Sequence, residues 1–217
     1  MSAPIVIAID GTSASGKSTN AKRIAKELDY VYVDTGAMYR TLAWYCLKHG
    51  IDVHDGKKVA AVLKKWKTEL KCVDKQVCML ADGYYPEKEI RTAETSAAVP
   101  HIAAIPKVRD WMKITQRDCA KFGNLVMEGR DIGSHIFPET EFKFYLDAHI
   151  EERNKRRAAD GVKEDLAARD QRDSQRAAAP LGIALGAIVI NNSGQTPEQT
   201  SKIIIDNVRT KLAGGGA

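Results

Sequence analysis

No run of this 217-residue chain is apolar over the roughly 20 residues that a membrane-spanning helix needs. Aromatic residues make up only 6% and are nowhere interleaved with a basic run, so nucleic acid is not the expected partner. Cysteine is sparse. Cys46, Cys72, Cys78 and Cys119 lack C-x-x-C or Cys/His zinc spacing, and read as reduced thiols of a cytosolic protein. The five histidines, His49, His54, His101, His135 and His149, are scattered and form no H-E-x-x-H pattern, which leaves no protein-built metal cage to expect. The first residues lead straight into an apolar run, without a basic leader or cleavage-like site, so a cytoplasmic location is expected. Internal repeats are absent, which excludes solenoids and propellers.

What is present is ordinary globular material: 44% hydrophobic and 28% charged residues. The length suits one domain with a small insert. The net charge of +5 is mildly basic and fits a small polyanionic ligand held among arginines.

The informative stretch is Gly11-Thr12-Ser13-Ala14-Ser15-Gly16-Lys17-Ser18, a complete G-x-x-x-x-G-K-[ST] pattern. Its glycines permit a backbone curl whose N–H groups point inward as an anion nest. Lys17 can carry positive charge to β- and γ-phosphates, and the Ser18 hydroxyl can ligate Mg²⁺. Context supports the motif. Pro4 to Asp10 is an apolar, β-branched run that reads as a buried parallel strand. After the motif, Ala21, Ile24, Ala25 and Leu28 follow helical spacing. Gly11 through Thr19 are therefore the candidate triphosphate-binding residues.

Further strands are expected over 30–33, 125–127, 142–146 and 187–191, and helices over 35–50, 57–66, 106–121, 149–159 and 163–177, with a last one opening near Pro197. Thr35 is placed to cap the second helix, and Thr196 or Ser193 the last. The stretch 67–92 breaks the pattern. Two short alternating runs, 68–73 and 76–80, are separated by Asp74-Lys75 and followed by Asp82-Gly83, which predicts a β-hairpin inserted outside the main sheet. The fold class is thus α/β, a five-stranded parallel sheet with helices on both faces. Residues 1–66 and 93–217 form the core, and 213–217 a flexible tail. Such sheets bind ligands beyond the carboxyl ends of their strands. Asp10, Asp34-Thr35, Glu128-Gly129-Arg130-Asp131, Asp147 and Asn191-Asn192 all fall there.

The motif implies a nucleoside triphosphate but not the acceptor of its phosphate. No guanine-reading N-K-x-D segment is present, which argues against a GTPase. The size and the arginines favour a kinase for a small anionic acceptor. From about residue 4 to 212 the chain resembles the bacterial cytidylate kinase family of nucleoside monophosphate kinases, which have the P-loop NTPase fold. Beyond the P-loop, the resemblance is carried by Asp34-Thr35-Gly36-Ala37-Met38-Tyr39-Arg40, Glu89-Ile90-Arg91-Thr92, Pro106-Lys107-Val108-Arg109, Glu128-Gly129-Arg130-Asp131-Ile132-Gly133, Arg169 to Arg176, and Ala179-Pro180-Leu181.

The resemblance implies γ-phosphoryl transfer from MgATP to CMP or dCMP. Arg40 and Arg130 match the arginines that hold the acceptor phosphate. Arg109 and Asp131 match the readers of cytosine, whose N4 amino group suits a carboxylate and whose N3 and O2 suit an arginine. Asp34, Thr35, Arg169, Asp173 and Arg176 complete the CMP site, Asp173 and Arg176 at the sugar. A family serine that contacts cytosine falls at Pro100, which has no donor; Ser96 and Thr95 are the nearby hydroxyls. Arg153 and Arg157 match phosphate-clamping residues of a short lid, about 153–169, and 67–92 belongs to the monophosphate-binding region. Ser18 ligates Mg²⁺, and Glu128 holds a water on it. Lys17 and the arginines neutralise the transferring group. A monomer is expected, since one chain supplies a whole site.

Two other readings compete. Asp34-Thr35-Gly36-Ala37 resembles an aspartic protease signature, but that chemistry sits on all-β chains and this chain alternates. The basic charge also admits a non-catalytic nucleotide- or RNA-binding module, and the same scaffold admits another acceptor such as UMP.

Overall fold

The computed structural model describes residues 3–159, 161, 165–176 and 178–214. A seven-stranded sheet runs through it, in the order β3-β4-β2-β5-β1-β6-β7. The strands are β1 (Val6–Gly11), β2 (Val31–Asp34), β3 (Thr68–Val73), β4 (Gln76–Ala81), β5 (Leu125–Glu128), β6 (Phe142–Asp147) and β7 (Ile188–Asn191). All neighbouring pairs are parallel except β3 with β4.

The five expected parallel strands are there, but the sheet has two more. The hairpin at 68–81 continues the main sheet instead of standing outside it. Lys75 at its turn accepts from the Tyr32 N–H at 2.8 Å, and Gln76 lies in register with Tyr32. The edge of β2 would otherwise leave buried backbone groups without partners, and β4 satisfies them.

The helices are α1 (Lys17–Leu28), α2 (Thr35–Lys48), α3 (Gly56–Val62), α4 (Ala93–Ala103), α5 (Pro106–Asp118), α6 (Ile150–Ala159), α7 (Leu166–Ser174) and α8 (Pro197–Gly214). Strand alternation divides the core. Val6 and Ala8 of β1 face one layer with Leu42, Ile102 and Met112; Ile7 and Ile9 face the other with Ile24, Ile204 and Val208. Each fully buried Ile or Leu is worth about 1.5–3 kcal/mol of transfer free energy.

Three local differences from the sequence reading have physical causes. Asp34, not Thr35, caps α2: its carboxylate accepts from the Ala37 N–H at 2.8 Å, while Thr35 lies inside the helix and donates to the Glu128 carbonyl. Helix α4 was not signalled, because its residues are mostly small or polar and Pro100 lies within it. Helix α8 extends through Gly214, so 213–214 are helical; the rest of the expected tail, 215–217, lies outside the described residues. Thr196 does cap α8, accepting from the Gln199 N–H.

Candidate active site

The carboxyl ends of β1, β2 and β5 open into a cavity of about 690 Å³. The loop between β1 and α1 forms one wall. At Gly11 the backbone has φ +147°, and a Cβ there would lie 1.9 Å from the Leu146 carbonyl oxygen, so only glycine lets β1 run this close to β6. Gly16 adopts the left-handed conformation and starts α1, aiming the positive helix end into the cavity.

Four distant groups fix the shape of this loop. Thr12 donates to Asp147 at 2.8 Å, and Asn192 donates to the Ser15 carbonyl at 2.7 Å. The Ser13 N–H donates to Asp170 of α7, and the Ser13 carbonyl accepts from Arg153 of α6. Arg153 also pairs with Asp170. Lys17 folds back onto its own loop, donating to the Thr12 carbonyl at 2.5 Å. Burial, and then the charge of Arg130, hold its ammonium well below the usual lysine range.

Of the loop residues, Ser13, Ala14, Gly16, Lys17, Ser18 and Thr19 line the cavity; Gly11, Thr12 and Ser15 lie behind it as framework. Of the two arginines matched to the lid, Arg157 lines the cavity and Arg153 does not. Arg153 is turned into the protein at the start of α6, where the helix passes against Ser13 and the Ala148 carbonyl. Its neighbour Arg156 takes a place on the wall, bonded to Asn192.

The opposite wall is a set of arginine–carboxylate pairs. Asp34 Oδ2 accepts from Arg40 at 2.9 Å and from Arg91 at 3.0 Å. Burial pushes the Asp34 carboxyl up, but the two guanidinium groups outweigh it and leave its pKa lowered. Arg109 and Asp131 form a buried pair, with Arg109 also bonded to the Ala103 carbonyl. Asp173 accepts from Arg130 and pairs with Arg176; burial opposes its ionisation, and the arginines again prevail. Thr35, Glu128 and Arg169 also face the cavity.

One buried guanidinium atom, Arg40 Nε, has no partner among the described residues, and Arg176 Nη2 has only the ion-pair contact to Asp173 Oδ1 at 3.2 Å, without an aligned hydrogen bond. A buried donor without an acceptor costs about 1–3 kcal/mol. Both belong to cavity-lining residues, where an oxyanion would satisfy them.

Glu128 is buried beside Ser18, Lys17 and Tyr32. Burial, then the neighbouring Asp34 charge, raise its pKa. Among the described residues no three His, Cys, Asp or Glu side chains gather as a metal cage. The donors at this end are one hydroxyl, Ser18, and one hydrogen-bonded carboxylate. That set suits Mg²⁺, which keeps several waters and is completed by substrate phosphates.

The cytidylate kinase family model matches residues 7–210. The cytidylate kinase of Anoxybacillus flavithermus is 41% identical over 99% of this chain and 100% of its own length. Those of Geobacillus kaustophilus and Clostridioides difficile are 40% and 38% identical, over 96% and 94% of this chain and 98% of their own. This chain belongs to the cytidylate kinase family. Within the P-loop NTPase fold of that family, the sequence reading overlooked Arg156, Arg91 and Tyr39 as cavity residues. Arg91 stood in a quoted motif, and Arg156 directly precedes Arg157, so both were within reach. Ser96 and Pro100 line the cavity one helical turn apart, whereas Thr95 is buried and donates to the Glu89 carbonyl.

Proposed function

We propose that this protein transfers the γ-phosphate of ATP to CMP or dCMP, giving ADP and CDP or dCDP. The observation that carries this reading is the unpartnered buried donor Arg40 Nε, in a cavity that Arg130 and Arg176 also line and that the P-loop borders. A triphosphate site and a second anion site share one cavity. Family membership names the acceptor.

The donor phosphates lie along the N–H groups of 13–19, with Lys17 leaving the Thr12 carbonyl to meet them. Arg156, Arg157 and Asn192 border this half. In the acceptor half, Arg40 and Arg130 hold the 5′-phosphate, and Asp173, which pairs with Arg130 and Arg176, sits with Arg176 at the sugar. Asp131, steadied by Arg109, accepts from the cytosine N4 amino group; uracil presents an oxygen there and is disfavoured. A CMP phosphate oxygen attacks the γ-phosphorus in line, the bond to the β–γ bridging oxygen breaks, and ADP leaves. The acceptor phosphate is already ionised near neutral pH, so no general base is required. Mg²⁺, when bound with the nucleotide, would neutralise charge on the phosphates, and Ser18 and Glu128 are the residues that would hold it, Ser18 directly and Glu128 through water.

Helices α6 and α7 act as the lid, and the hairpin at 68–81 with α4 as the acceptor region. Closure excludes water, which would otherwise accept the phosphate. A site assembled within one chain supports a monomer as the working unit. Four free cysteines suit a reducing compartment such as the cytoplasm. No described helix is long and apolar enough to cross a membrane.

The test is ADP release in a coupled assay with AMP, GMP, CMP, dCMP, UMP and dTMP as acceptors. CMP and dCMP should dominate. Preference for another monophosphate overturns the acceptor assignment, and no turnover with any of them overturns the kinase reading.

A further inference from the structure

Tyr32 is a phenol in an unusual position. It lies on β2, buried to 4% exposure in the apolar layer with Ile7, Ile24 and Val126. A phenylalanine would fill such a site without having to place a hydroxyl. The Tyr32 hydroxyl is directed along the sheet, donating to Glu128 Oε1 at 2.5 Å.

The register explains the reach. On adjacent parallel strands Tyr32 pairs with Val126 and Asp34 with Glu128. Alternation places Tyr32 and Glu128 on the same face, one step apart along the diagonal. Ser18 and Glu128 line the same cavity, and the Ser18 hydroxyl is close enough to act on the Glu128 carboxylate. One buried carboxylate is thus shared between a phenol behind it and the P-loop hydroxyl in front. A Ser18 hydroxyl that donated to Glu128 would keep its oxygen lone pairs free for a cation.

Resting on the kinase reading above, we propose that Tyr32 is a positioning residue for phosphoryl transfer. Its hydroxyl fixes the Glu128 carboxylate, which in turn orients the Ser18 hydroxyl for the divalent cation of the nucleotide. Glu128 needs such support. The Asp34 carboxylate is its register partner and repels it, so an untethered Glu128 would turn away from Asp34 and lose its alignment with Ser18. Partners that hold a ligating group in this way typically change metal affinity or activity by about 10–100-fold when removed.

The variant is Tyr32→Phe, which removes one oxygen atom. Two readouts are used: Mn²⁺ affinity of the enzyme–ADP complex, followed by electron paramagnetic resonance without turnover, and the Mg²⁺ concentration for half-maximal CMP phosphorylation. Mn²⁺ affinity should fall by about tenfold or more, and the Mg²⁺ requirement should rise in parallel, with KM for CMP little changed. In a Glu128→Ala background the same substitution should add little further loss, because the relay is already broken. Unchanged Mn²⁺ affinity and Mg²⁺ dependence in folded Tyr32→Phe overturn the proposal, as does an undiminished effect in the Glu128→Ala background. If Tyr32→Phe fails to fold, Tyr32→Leu in the same Mn²⁺ titration decides by the same criterion. Absence of CMP turnover by the wild type instead counts against the kinase reading, and the Mn²⁺ titration still reports on Tyr32.

Discussion

Arg130 Nε donates to Asp173 Oδ2 at 3.0 Å, so the arginine just beyond β5 is held by helix α7, 43 residues later in the chain. The bond joins the acceptor half of the cavity to the helix that also grips the P-loop through Asp170. Asp173 does more than neutralise one arginine. Arg176 and Arg169 also contribute to its lowered pKa, so three guanidinium groups act on this one carboxylate.

Asp173→Asn should therefore weaken both acceptor binding and the fold. Without the charge, the three arginines repel one another across a partly buried space. A loss of about 2 kcal/mol is expected, below the roughly 3–5 kcal/mol typical of breaking a fully buried pair because this one is only partly buried. The bound phosphate of CMP would supply the missing negative charge. Saturating CMP should consequently raise the melting temperature of the variant more than that of the wild type, while KM for CMP rises about tenfold. Equal ligand-induced shifts in the two proteins would contradict this account.

Lys17→Met should separate activity from stability. The ammonium sits buried beside Arg130, with burial as the larger penalty. Its hydrogen bond to the Thr12 carbonyl offsets only part of that. Removing the charge is expected to leave the melting temperature unchanged or raise it by a few degrees. Phosphoryl transfer should fall by about 100-fold or more, as for other preorganised charge contacts. Calorimetry and the coupled assay check both halves; a marked loss of stability would mean that Lys17 is chiefly a framework group.

Much of this site was legible in the chain, and the gaps have a common cause. The glycine loop and the five parallel strands announce themselves through local pattern. Arg40, Arg109 and Arg130 follow strand or helix ends, so their place near the cavity could be read. The attachment of the hairpin to β2 could not, because it rests on the Tyr32–Lys75 backbone bond, a contact between segments with no shared local signal. Arg153 shows the same limit. Helical spacing puts Arg153 and Arg157 on one face, yet the face abuts the P-loop at one end and opens to the cavity at the other. Only the path of α6 decides which arginine is framework and which is wall.

Asp131→Asn should narrow the preference for CMP over UMP. The amide can present either a donor or an acceptor to the base, so the mismatch with uracil O4 is relieved. Arg109 keeps a polar partner, which limits the destabilisation that Asp131→Ala would cause by leaving a buried guanidinium alone. The ratio of kcat/KM for CMP to that for UMP is expected to fall about tenfold or more. An unchanged ratio would place base recognition elsewhere, with Ser96 on the cavity wall as the next residue to vary.

Asp10 should give the chain a titration of its own. It ends the run of β1 before Gly11, and its two oxygens accept from the Ile132 and Gly133 N–H groups at 2.8 Å each. Burial pushes its pKa from 3.8 up to about 6, against the pull of those two bonds. The native state thus keeps this proton to higher pH than the unfolded chain does. Its contribution to stability is complete below about pH 4 and is lost as pH rises through 6, at up to about 1.4 kcal/mol per pH unit. Asp34 and Asp173 run the other way: their lowered pKa values add stability above the unfolded value that disappears on acidification. The net curve of the wild type mixes these signs, so the useful quantity is a difference. Asp10→Asn does not titrate, and it loses one of the two N–H contacts at every pH. Measured by urea unfolding between pH 4.5 and 7.5, the deficit of the variant should be largest at the acid end and shrink toward pH 7. A deficit that stays constant, or grows with pH, would show that Asp10 is ionised throughout. In that case the turn carrying Asp131 would be held by a permanent charge from the end of β1.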